Sequence, residues 1–65
     1  MLILDPNLPD PDGFYDELLA AQSGMSAEES HAFLARLALI LANHVGDRET
    51  LRAALRAARG AARSF

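Results

Sequence analysis

Residues 27 to 45, "AEESHAFLARLALILANHV", sit between a helix start and a helix stop and are apolar on nearly every side. Ser26, followed three residues later by Glu29, fits a capping box, and Gly46 is a natural C-terminal stop. At roughly 100° per residue, Phe33, Leu34, Leu37, Ile40, Leu41, His44 and Val45 fill one broad face. Ala35, Ala38 and Ala42 continue around it, and Leu39 and Ala32 lie on the far side. Only Glu29, Arg36 and Asn43 form a polar stripe. A helix apolar nearly all round is buried nearly all round. Two amphipathic neighbours can cover the broad face, but not Leu39 and the alanine face as well. The alanines would let another helix approach closely. This helix is therefore expected at the centre of an assembly larger than one chain, with Leu39 and Ala42 at the contact. A membrane span needs about 20 apolar residues, and Arg36 interrupts this run.

The rest of the chain offers few other ways to stabilise a fold. Sixty-five residues make one small domain, and a domain of this size buries only about 60% of the surface its unfolded chain exposes. There is no cysteine, hence no disulfide and no thiolate site. His31 and His44 are too few for a structural zinc site and lie far apart on the helix. Packing and association remain. The net charge of −3 gives no whole-chain attraction to nucleic acid or an anionic membrane. That charge is unevenly placed: Met1 to Ala35 carries seven acids and no lysine or arginine, whereas six arginines and two acids follow. "MLIL" is broken by Asp5 and Pro6 and has no basic residue before it, unlike a signal peptide, so the cytoplasm is the expected location.

The fold class read from this pattern is all-α: an N-terminal arm over residues 1–10, then a three-helix domain over 11–65. Pro6, Pro9 and Pro11 bias their predecessors toward extended backbone. Asp10 before Pro11 is a cap followed by proline at the first helical position, which starts a helix of about residues 11–22. Phe14, Leu18 and Ala21 form its apolar stripe, widened by Tyr15 and Leu19, and Gly24 ends it. The central helix spans 27–45. Asp47 caps a third helix of about 47–62.

Two groups of polar residues carry site hypotheses. Asn43 is expected to hydrogen-bond across the turn into the third helix. His44 lies within the broad apolar face, either capping carbonyls at the helix end or touching a partner or ligand. Phe14, Tyr15, Leu39, Ala42, Asn43 and His44 are the candidate interaction residues. Arg52, Arg56, Arg59 and Arg63 recur at i, i+4, i+7 and i+11, forming one ridge. The ridge is either a solvated face or a site for an anion such as phosphate, nucleic acid or an acidic protein surface. With no aromatic residue for base stacking and an acidic chain overall, an acidic protein surface is favoured over nucleic acid. No nucleophile–base pair, metal set or glycine-rich phosphate loop is present, so no enzyme, metal or cofactor is expected.

The stretches "GFYDELLAAQSGMS" and "LARLALILANHVGD" resemble a short bacterial family known as a domain of unknown function. The family pattern opens the first helix with an aromatic pair, here Phe14 and Tyr15. It continues with a glycine-hydrophobe-serine turn, here Gly24 to Ser26. The second helix ends in Ala-Asn-His-aliphatic-Gly-Asp, here Ala42 to Asp47. The resemblance covers residues 8–55 and implies no activity. Members of that family often lie beside genes for flavin-dependent aromatic hydroxylases and similar oxidoreductases, so the resemblance implies an accessory subunit of such an enzyme. The function expected is thus a non-catalytic interaction subunit that docks on itself or on a larger enzyme through its second helix. The alternative is a freestanding homodimer that binds nucleic acid or another polyanion through the arginine ridge.

Overall fold

The chain forms three helices in succession, α1 over Pro11–Ala21, α2 over Ala27–Val45 and α3 over Arg48–Ser64, with no strand among the described residues. The computed structural model describes the backbone of residues 1–64 and the side chains of residues 1–60. It is an all-α domain of three helices.

Local chemistry sets each boundary. At α1, the Gly13 N–H donates to Asp10 Oδ1 at 3.1 Å, and the Phe14 N–H to the Asp10 carbonyl at 3.2 Å. Asp10 holds this cap at φ 50, in the left-handed region that aspartate tolerates better than most residues. A side chain at position 13 would meet the Asp10 carboxylate and push it from its capping position. The helix stops one residue before the expected Gln22, which becomes the C-cap; its side-chain amide donates to the Leu18 carbonyl at 3.0 Å. Gly24 then turns the chain at φ 80.

The capping box of α2 is complete. The Ser26 N–H donates to Glu29 Oε1 at 3.0 Å, and the Glu29 N–H to Ser26 Oγ at 3.2 Å. At the other end Gly46, at φ 72, donates its N–H to the Ala42 carbonyl at 3.0 Å. Asp47 caps α3: its Oδ2 accepts from the Thr50 N–H at 3.3 Å and also from the Thr50 hydroxyl.

The arm, residues 1–10, has no helix or strand. It is tied back at its tip, where the Met1 amino group donates to Thr50 Oγ1 at 3.3 Å. Leu2 beside it is half-buried, while Ile3, Leu4 and Leu8 are exposed.

The packing departs from the expected one. The chain's own helices were expected to cover the Phe33–Leu37–Leu41 face. Phe33 and Leu37 are half-buried, but Leu41 is exposed, and no described residue of the chain is fully buried. Among the described residues the helices approach one another only sparsely. The radius of gyration is 13.2 Å, against about 11 Å for a compact chain of this length. The total accessible surface is 5877 Å², against about 4,000 Å² for a compact protein of this mass. The backbone hydrogen bonds of a helix run within the helix itself, so the helices form without a neighbour, yet the apolar faces they present have too little of this chain to pack against.

Candidate interaction surface

The exposed apolar side chains are spread over every element. On α2 they are Leu34, Leu39, Ile40, Leu41 and Val45, with Leu39 71% exposed. On α1 they are Phe14, Tyr15 and Leu19, and on α3 Leu55, at 72%. Contiguous exposed apolar patches larger than a few hundred Å² are uncommon on monomeric soluble proteins.

The expected interaction residues divide by position. Phe14 and Tyr15 lie at the start of α1 and are exposed, as is Leu39 on α2. Ala42 is half-buried next to the turn into α3, its carbonyl engaged by Gly46. Asn43 and His44 are exposed. Asn43 does not bond across the turn as expected, nor does the His44 ring cap the last carbonyls: neither side chain makes a hydrogen bond among the described residues. The Gly46 N–H closes the end of α2 instead.

Arg52, Arg56 and Arg59 are exposed on α3 and make no ion pair or side-chain hydrogen bond among the described residues. The Arg63 side chain lies outside the described residues. Asp12 and Asp16, four apart on α1, are likewise exposed and unpaired there. At about 100° per residue, Tyr15 and Leu19 border these two acids on α1, and Leu51 and Leu55 border Arg52 and Arg56 on α3. Both charged flanks fall on the same hand of their apolar stripe.

Two carboxylates are perturbed, both by caps. The backbone N–H of Ser26, then its hydroxyl, hold the Glu29 carboxyl below the usual glutamate range. The Thr50 hydroxyl does the same for Asp47. These are structural roles at helix ends. The described residues enclose no pocket and bring together no group of histidine and carboxylates suited to a metal. No helix among them is long and apolar enough to cross a membrane.

Two features escaped sequence reasoning. The exposure of Leu55 depends on whether α3 packs against α1 or α2, which its helical period does not reveal. The Met1–Thr50 tether joins residues 49 apart and has no local signature.

Fold and surface together define a small all-α protein that leaves large apolar side chains uncovered on its arm and on all three helices. The chain belongs to the family described as Protein of unknown function (DUF2783), which matches residues 2–60. No curated protein and no solved structure matches it.

Proposed function

We propose that this chain is a non-catalytic accessory subunit whose apolar α2 docks on another polypeptide. The observation that carries the reading is the uncovered surface. The chain exposes 5877 Å², roughly 1,800 Å² more than a compact protein of its mass, and no described residue is buried. A standard interface removes about 800 Å² from each partner and obligate interfaces remove more, so the excess is of the size that an obligate partner takes up. The partner is a second copy of the chain or a larger enzyme. The resemblance at Ala42 to Asp47 makes a flavin-dependent oxidoreductase of the cytoplasm the class of enzyme to test. The non-catalytic part of the reading rests on the candidate residues: His44, the one potential base among them, is exposed and holds no nucleophile by a hydrogen bond among the described residues.

The test is recovery of the tagged chain from its native cell at several salt concentrations. The reading expects the chain in a complex, with itself or with a larger enzyme. Recovery as a lone, fully folded monomer overturns it. The polyanion alternative is settled alongside: purified chain should leave the mobility of DNA and RNA unchanged even at low salt, where phosphate contacts are strongest.

A further inference from the structure

The uncovered surface is the ground for the docking reading, and the charges point to one kind of partner. Resting on the docking reading above, we propose that the partner is a second copy of this chain, related by a two-fold axis. In that dimer α1 of each protomer runs antiparallel to α3 of the other, and Asp12 and Asp16 face Arg52 and Arg56.

Three observations support this. First, the charges match in spacing and sign. Asp12 and Asp16 are four residues apart, as are Arg52 and Arg56, and each pair borders an apolar stripe. Residues at i and i+4 stack along one side of a helix, so two such rows can meet along their length. Second, the charged flanks have the same hand. Flanks of the same hand lie on the same side of the contact when two helices pack antiparallel, and on opposite sides when they pack parallel. The turns between helices are short, at residues 22–26 and 46–47. Short connections make successive helices antiparallel neighbours, so in one closed chain α1 and α3 would run parallel, with their charges apart. In the proposed dimer the antiparallel mate comes from another molecule. In this structure these acids and arginines are indeed unpaired among the described residues.

Third, the area fits. Roughly 1,800 Å² of excess surface per chain is about 3,600 Å² for two, within the 2,000–5,000 Å² of obligate dimers. A two-fold axis makes each contact occur twice, so the acidic front and basic back of each protomer are both used.

The test is sedimentation of the purified chain over a range of concentration and salt, with two charge-reversed variants. One carries Arg52→Glu, Arg56→Glu and Arg59→Glu; the other carries Asp12→Arg and Asp16→Arg. The parent chain is expected to be a dimer that weakens as salt rises. Each variant alone should dimerise more weakly by on the order of a hundredfold, since several ion pairs become repulsions. Mixing the two variants should restore a dimer containing one of each, which also shows that both can fold.

If the parent is a dimer but both variants match it and show no preference for each other, the antiparallel α1–α3 arrangement is wrong. If the parent is a monomer with incomplete helices and no cooperative melting, the second copy is wrong but docking on a different protein stands. If the parent is a fully helical monomer that melts cooperatively, both fall.

Discussion

Leu39→Lys separates a buried contact from a solvated one. Leu39 is 71% exposed in the single chain, on the side of α2 away from Phe33 and Leu37. Fully burying a leucine side chain stabilises by about 1.5–3 kcal/mol, so roughly 1–2 kcal/mol remains to be gained when a partner covers what is now exposed. In a two-fold dimer the residue occurs twice, and truncation alone would cost about 2–4 kcal/mol. At about 1.4 kcal/mol per factor of ten, the dissociation constant should rise by between one and three powers of ten. Lysine adds to this, because a buried ammonium without a partner costs several kcal/mol more. Helix formation itself should survive, since lysine and leucine have similar helix propensities. At a solvated position the same change should stay within about 0.5 kcal/mol. Sedimentation velocity over a concentration series, with circular dichroism as the control for helix content, distinguishes the two. Unchanged association and an unchanged melting temperature would place Leu39 on a free surface, and the account of α2 as a contact helix would be wrong.

Two further predictions concern the helix ends. Ser26 holds Glu29 below the usual carboxylate range. The sign follows: the stabilisation of the α2 start is present above the ordinary glutamate pKa and is lost as pH falls through the depressed value. Circular dichroism should therefore show helix loss on acidification that Glu29→Gln reduces; superimposable acid titrations would refute the assignment. At the other end of α2, Gly46 adopts φ 72, and a methyl group added there would meet only the Asn43 carbonyl, at 3.9 Å. Space is therefore not the obstacle for Gly46→Ala. The left-handed backbone is, and it should cost about 1 kcal/mol in thermal unfolding; an unchanged or raised melting temperature would show that the turn rearranges freely.

The helix starts and the stop of α2 were legible because the groups that make them lie within four residues of one another, whereas α3, expected over about 47–62, runs over Arg48–Ser64. Asp10 with Gly13, Ser26 with Glu29, and Asp47 with Thr50 are local pairs whose spacing is written in the chain. The one-residue difference at the end of α1 has the same local origin, since Gln22 turns its side chain back onto Leu18. The candidate surface was legible only in part. The apolar excess of α2 follows from composition and period, and Leu39 could be singled out on the wheel. The expected bonds of Asn43 and His44 do not form: both side chains are exposed and make no hydrogen bond among the described residues.

What the sequence determined by itself is thus the identity of the elements: three helices, their caps, an arm broken by prolines, and charges divided between front and back. These depend on interactions a few residues long, which any chain conformation can make. Only the tertiary structure decided that Leu41 and Leu55 stay uncovered, that Phe33 and Leu37 reach half-burial, and that Met1 returns to Thr50. Those outcomes depend on how separate helices lie in space. The free energy that sets that arrangement comes from apolar area removed from water, a quantity that no single segment of the chain contains.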